Sequence, residues 1–236
     1  MIDAHSHILP GIDDGSANLE ESISLLRMEA EQGVERVIAT PHFYAHHDKP
    51  ERFLERRIQA EELLRQEMSR HQGLPRLSIG SEVYFFSGIS ESDLINQLTI
   101  DKKRCILIEM PGIPWTDSMF RELEDLHRKQ GLTPVIAHID RYIRPFHTYH
   151  IPERLAELPV LVQANASFFL HPATAPLAMR LLRKDQIHLL GSDCHDLTDR
   201  KPNLGPAVAR IKKRLGDQVL ERVDAYAQVL LGENEE

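Results

Sequence analysis

The sequence predicts an α/β fold with parallel strands, either a barrel or an open doubly wound sheet, and three observations carry that prediction. Short β-branched or apolar runs alternate with longer amphipathic ones along the chain, the pattern of strands joined by right-handed helical crossovers. The 236 residues are long for an ordinary domain but normal for one α/β barrel. No internal repeat, low-complexity linker or break in composition divides them, so residues 1–236 are expected to form a single domain.

The elements follow in order. A first strand is expected over 1–5, then a helix over 19–32 with Ser16 and Asn18 as candidate caps and Gly33 as its stop. The second strand, 36–40, leads to a heavily charged helix over 52–71, with Leu54, Ile58, Leu63, Leu64 and Met68 on one apolar face. Strands over 77–82 and 104–110 come next, followed by a helix over 118–130 that Gly131 ends. Strands at 134–138 and 160–165 precede a helix over 173–184. A seventh strand, 187–193, gives way to a last helix over 205–231, and the acidic tail at 233–236 reads as a frayed end.

Composition narrows the function. Apolar residues make up 42% and charged residues 27%, enough to bury a sizeable core. No apolar run approaches a membrane span and no apolar leader precedes Asp3, so a cytoplasmic protein not embedded in a membrane is expected. Two cysteines, Cys105 and Cys194, cannot build a disulfide framework, which fits a reducing compartment. A net charge of −8 without a basic cluster argues against nucleic acid as the main partner.

The strand ends carry the chemistry. The first strand finishes on His5 and His7, two apart and therefore on one face of an extended chain. The second leads through Ala39-Thr40-Pro41 to His42, the third reaches Glu82, the fourth Glu109 and the fifth His138. The seventh ends at Asp193 with His195, and Asp14 follows the first strand in Asp13-Asp14-Gly15. Only the sixth, near Asn165, offers no strong ligand. In a parallel barrel these ends converge on one face, and a mixed imidazole and carboxylate set suits Zn, Mn or Fe. Each residue alone has a bland explanation. His42 could be a loop histidine, Glu82 and Glu109 could pair with Arg104 or Arg141, and His138 could be a core histidine. Asp193-Cys194-His195 could be a turn with a helix cap. Their recurrence at strand ends favours a multi-metal hydrolytic site.

The opening Met1-Ile2-Asp3-Ala4-His5-Ser6-His7-Ile8-Leu9-Pro10 with Asp13-Asp14-Gly15 resembles that of the polymerase and histidinol phosphatase (PHP) superfamily. Ala39-Thr40-Pro41-His42, Gly80-Ser81-Glu82-Val83, Ile106-Leu107-Ile108-Glu109-Met110-Pro111 and Gly191-Ser192-Asp193-Cys194-His195 resemble further blocks of it. Within the superfamily the chain is most similar to the bacterial manganese-dependent protein-tyrosine phosphatases of capsule and exopolysaccharide operons. The resemblance implies a distorted TIM-like barrel of seven β/α units, with a three-metal site at the carboxyl-terminal ends of the strands. It implies His5, His7, Glu82 and Asp193 around one ion, Glu82, Glu109 and His138 around a second, and Asp14, His42 and His195 around a third. Manganese is the expected ion, with Fe, Zn or Mg as alternatives. The family's His-Pro-Glu-Arg block reads His138-Ile139-Asp140-Arg141 here, which keeps the arginine but loses the proline. Arg200 stands where a second arginine is expected.

The implied chemistry is hydrolysis of phosphotyrosine by metal-activated hydroxide, with paired ions clamping the attacking and leaving oxygens. Arg141 and Arg200 would grip the non-bridging oxygens, and His42 or an ion would help the phenolate depart. The implied partner is a membrane-associated tyrosine kinase that controls polysaccharide export; homo-oligomer formation is left open. Histidinol phosphate or another phosphoester is the alternative substrate, and a non-catalytic metal-binding regulatory module is the alternative of another class. Cys194 and Arg200 also match the Cys-x5-Arg spacing of cysteine-dependent tyrosine phosphatases. The loop between them holds two aspartates and no glycine, so a bystander thiol is expected. His46, His47, His147 and His150 are expected in loops, and Tyr84, Phe85, Phe86 and Trp115 could line an aryl pocket or pack the core.

Overall fold

Backbone hydrogen bonds between the first and last strands close the sheet into a ring. The computed structural model describes residues 1–147 and 150–232, so the tail at 233–236 lies outside the described residues. Its named strand pairs are all parallel: β1 (Ile2–Ser6) beside β2 (Arg36–Ala39), and β2 beside β4 (Arg76–Ile79). A second run carries β3 (His42–Phe43), β5 (Glu82–Tyr84), β6 (Cys105–Glu109), β7 (Thr133–Ile136), β8 (Leu161–Asn165) and β9 (Leu189–Gly191), in that order. The Asp193 N–H donates to the His5 carbonyl and the His7 N–H to that of Cys194, both at 2.9 Å, about a parallel Ser6–Cys194 bridge. β3 and β5 prolong β2 and β4 past short kinks, so the ring has the seven positions of a distorted β/α barrel. An open doubly wound sheet would lack that closing seam.

The kinks have local causes. Pro41 has no N–H to give the ladder. The ladder continues around it, Gly80 N–H meeting the Ala39 carbonyl at 2.9 Å and Glu82 N–H the Pro41 carbonyl at 3.0 Å. At Gly80 a Cβ would stand 2.8 Å from Ile100 Cγ1. Arg57 clamps the bend, donating to the Gly80 carbonyl at 3.2 Å, Ser81 Oγ at 2.7 Å and the Gln97 carbonyl at 2.8 Å. The expected third strand is therefore two short strands meeting at an angle.

The helices obey their caps. α1 (Leu19–Glu31) starts at Asn18, whose Oδ1 accepts from Glu21 N–H at 3.0 Å while Glu21 Oε2 accepts from Ala17 N–H at 2.8 Å. α2 (Pro50–Met68) buries Phe53, Arg57, Ala60 and Leu64, a face rotated from the expected one: Ile58 and Leu63 are 49% and 51% exposed. Arg57 lies on that buried face and bonds the bend, which a purely apolar pattern cannot foresee. α3 (Asp117–Gln130) ends at the left-handed Gly131. Short α4 (Asp140–Ile143), α5 (Ile151–Leu155) and α6 (Ala166–Leu170) were not expected, and α7 (Ala175–Arg183) was. The expected last helix is two, α8 (Leu204–Leu215) and α9 (Asp217–Leu231), divided at Gly216 with φ 85°. Between β5 and β6 the crossover is three 3₁₀ turns, Ile89–Glu91, Asp93–Gln97 and Ile100–Lys102, in place of an α-helix.

Ala4, Ile38, Leu107, Val135, Leu161 and Leu189 fill the ring, joined by Ile100 and by Leu230 and Leu231 of α9. A larger apolar layer lies between strands and helices. With the interior packed, polar chemistry is left to the carboxyl-terminal rim.

Candidate metal centre

Glu82 is the hub. It opens β5 just past the clamped kink and is fully buried. Its Oε2 lies 3.2 Å from His5 Nε2, 3.2 Å from His7 Nε2 and 3.0 Å from His42 Nδ1, and its Oε1 lies 2.7 Å from His138 Nε2. Irregular pairing of β1 between Asp3 and Ser6 accompanies a 3.1 Å approach of His5 Nε2 to His7 Nε2. Asp193 Oδ1 faces His5 at 3.6 Å and His7 at 3.5 Å. Glu109 Oε1 lies 3.6 Å from His138 Nε2, and Asp14 Oδ1 lies 3.5 Å from His42 Nε2 and 3.6 Å from His195 Nε2. All nine residues expected at strand ends therefore meet in one cluster. Ligand atoms come together in sets of His5, His7 and Asp193, of His42, Glu82 and Glu109, and of His7, Asp14, His42 and His195. These overlap the implied grouping without matching it throughout, since His7 and His42 each join two sets.

The donor atoms fit cations better than they fit one another. Glu82 Oε2, His42 Nδ1 and His195 Nε2 are buried with no hydrogen-bond partner, although imidazole nitrogens surround the first. Two imidazole nitrogens at 3.1 Å can share at most a proton, whereas a divalent ion satisfies both along with the carboxylates. Burial alone would push His7 down, but Asp13 and Glu82 outweigh it and raise it to about 10. Burial likewise opposes ionisation of Glu82, yet His5 and the other imidazoles hold it well below the usual carboxylate range. His195 falls to about 4 through burial and the neighbouring His7. His138 and Asp193 adopt φ of 32° and 53°, strain of the kind that accumulates at functional sites.

Glycines make the approach possible. A Cβ on Gly15 would lie 2.2 Å from the His7 carbonyl oxygen, and one on Gly191 would lie 2.7 Å from His5 Cβ. Both arginines reach the cluster. Arg141 binds Glu109 Oε1 at 3.1 Å and Asp193 Oδ2 at 2.8 Å, so the missing proline does not keep it away. Arg200 binds Asp193 Oδ1 at 3.0 Å. Their side chains are 40% and 38% exposed. Glu109 thus does pair with an arginine, while Glu82 is held by imidazoles.

A supporting layer went unread in the sequence. Asp13 Oδ2 meets His7 Nδ1 at 2.8 Å and accepts the His42 N–H at 3.0 Å, fixing the ring of one and the backbone of the other. The sixth strand, which offered no ligand, supplies Gln163 and Asn165. Gln163 Oε1 accepts the His138 N–H at 2.5 Å and lies 3.4 Å from His5 Nδ1. Asn165 Nδ2 donates to Asp193 Oδ2 at 2.9 Å. Two amides at alternate positions of an apolar strand were the available signal. Tyr142 Oη donates to the Met110 carbonyl at 2.8 Å, 3.4 Å from His138 Nδ1.

Other candidates separate from the cluster. Cys194 is fully buried and its thiol is pushed up by burial and the nearby Glu29 and Asp3 carboxylates. In the loop that follows, the N–H groups of Thr198, Asp199 and Arg200 turn onto Asp196 Oδ1, leaving them no phosphate to wrap. His46, His47, His147 and His150 are exposed. Phe85 and Trp115 are buried in the core, Phe86 packs at its edge, and Tyr84 is partly exposed. No helix among the described residues is long and apolar enough to cross a membrane.

Comparison with known proteins gives the lineage. The sequence model of the family described as "Capsular polysaccharide synthesis, CpsB/CapC" matches residues 1–229. The tyrosine-protein phosphatase YwqE of Bacillus subtilis is 30% identical over 243 residues, spanning 98% of this chain and 91% of that protein. One of the solved structures of YwqE from Bacillus subtilis and CpsB from Streptococcus pneumoniae, described as metal-dependent tyrosine phosphatases, superposes with a TM-score of 0.85 at 24% identity. It covers 98% of this chain and 94% of that one. Histidinol phosphate phosphatase from Lactococcus lactis, solved with zinc, L-histidinol and phosphate, gives a TM-score of 0.57 at 14% identity over 92% of both chains. The two structures speak for a shared fold.

Proposed function

The chain belongs to the CpsB/CapC family of capsular polysaccharide synthesis, and from that premise we propose that it is a metal-dependent protein-tyrosine phosphatase. The observation that carries the reading is Glu82, a buried carboxylate with an unsatisfied oxygen at the centre of four imidazoles from three strand ends. His5, His7, Asp14, His42, Glu82, Glu109, His138, Asp193 and His195 would hold divalent cations, three in number and manganese first. Ions bound there supply positive charge for a phosphate dianion and make water a competent nucleophile at neutral pH.

The chain's own groups do the rest. Arg141 and Arg200, each with a side chain more than a third exposed, bind non-bridging oxygens and stabilise charge in the transition state. Asn165 and the two arginines surround Asp193, fixing its carboxylate. His42 has one ring nitrogen toward Asp14 and the other toward Glu82, so we assign it to holding ions ahead of proton delivery. The substrate we infer is a phosphotyrosine protein, a membrane-associated kinase of the polysaccharide machinery. Cys105 and Cys194, both buried and not joined in a disulfide, support a reducing, cytoplasmic setting, and residues 1–236 are taken as one domain.

The decisive experiment is hydrolysis of a phosphotyrosine peptide and of histidinol phosphate by chelator-stripped protein, before and after Mn is restored. Metal-restored turnover favouring the peptide, retained in Cys194→Ser, is expected. Turnover favouring histidinol phosphate would keep the centre and replace the substrate. No turnover despite bound metal would leave a regulatory module.

A further inference from the structure

The two sides of the barrel mouth differ in chemistry. Arg141 and Arg200 follow β7 and β9, whereas Tyr44 follows β3 and Tyr84 ends β5, across the ring from them. The Tyr44 ring centroid stands 5.3 Å from that of His42 and 5.6 Å from that of Tyr84, both pairs tilted. Both tyrosines are partly exposed, and Tyr84 pairs with Glu109 across β5 and β6. Phe85 and Trp115 are committed to the core; among the described residues Tyr44 and Tyr84 offer aromatic surface beside the centre, with the His46 ring 6.3 and 6.2 Å from them.

We propose that Tyr44 and Tyr84 form an aromatic wall that packs the aryl ring of the substrate and sets a preference for aryl over alkyl phosphate esters. This rests on the phosphatase reading above. With the phosphate over Glu82 and its imidazoles, and the arginines on its far side, the ester oxygen is left to project along the tyrosine side. A ring attached there would meet the tyrosines, and aromatic pairs favour offset or edge-on packing with centroids roughly 4.5–7 Å apart. A serine or threonine ester carries no ring to cover the wall. The wall acts in binding, so it is visible without turnover.

The test uses Mn-loaded protein and two non-hydrolysable probes, phenylphosphonate and methylphosphonate, with affinities read by titration calorimetry. The wild type is expected to bind the phenyl compound about tenfold more tightly, roughly 1.4 kcal/mol. Tyr44→Ala with Tyr84→Ala should bring that ratio close to one, and Tyr44→Phe with Tyr84→Phe should preserve it. Tyr44→Leu with Tyr84→Leu keeps apolar bulk in case the alanine pair fails to fold, and should also lose most of the preference. Equal binding of both probes by the wild type, or a ratio unmoved by the alanine and leucine pairs, overturns the wall. A protein that hydrolyses phosphotyrosine but ignores the phenyl group refutes the wall alone. A protein that prefers phenylphosphonate yet hydrolyses no phosphotyrosine keeps the wall and loses the phosphatase.

Discussion

Two buried carboxylates, Glu82 and Glu29, show how differently one residue type can be used. Glu82 is ionised among imidazoles, and replacing it by Gln removes the anion while keeping the shape. Glu82→Gln is expected to lower metal affinity at least about 100-fold, since even outer partners of ligands cost 10–100-fold; metal content after dialysis checks it. Glu29 of α1 is also fully buried, against Asp3 and Cys194, with neither oxygen given a hydrogen bond. Burial and the Asp3 charge push it from 4.5 to about 10, so the folded state holds a proton that the unfolded state releases. Its contribution is therefore intact below about 4.5 and is lost as pH rises toward about 10, at up to about 1.4 kcal/mol per pH unit. Glu29→Gln stays neutral throughout, so its stability advantage over the wild type should widen between pH 6 and 9 in urea titrations of metal-free protein. Parallel curves would refute the retained proton on Glu29.

At the scale of elements, β8 and the β4–β5 kink matter more than their lengths suggest. Gln163 touches His138 and His5 while Asn165 touches Asp193, so one strand without a ligand steadies several residues of the centre. Gln163→Leu is expected to fold and to lose roughly 10–100-fold in metal affinity, with the far-ultraviolet circular dichroism unchanged. Arg57→Met removes three donated bonds at the bend that aims Glu82. It should cost about 3 kcal/mol in denaturant midpoints and weaken metal binding as well. The strands and the capped helices were legible because apolar runs, Asn18, Gly33 and Gly131 are local signals. The kink, the turned face of α2 and the 3₁₀ crossover were not. Each depends on a tertiary partner, such as Ile100 beside Gly80 or Arg57 beneath Gln97, which no window of sequence contains.

For the whole molecule, the strand-end reading recovered the cluster because parallel closure sends those ends to one rim. It could not recover Asp13, Gln163, Asn165 or Tyr142, whose value lies in what they touch. Ions bound by the fold alone stabilise it by about 4 kcal/mol when present at a thousand times their dissociation constant. Chelation is accordingly expected to lower the thermal midpoint by roughly 10 °C for a chain of this size, and Mn to restore it. A midpoint indifferent to chelator would argue against a resident ion.

The seam between β1 and β9 also sets a timetable for biosynthesis. Ser192 binds Asp3 and the His5 carbonyl from 189 and 187 residues away, so the seam can form only after all the strands between have been made. Until the ribosome has released that stretch, His5 and His7 lack Asp193 and His195, and the nascent protein cannot assemble the complete cluster. Closing so long a loop is slow relative to local contacts, and an ion gripping both margins would fasten it like a clasp. Arrival of metal would then report that β9 has joined β1, which keeps a chain without that seam from attacking phosphoproteins.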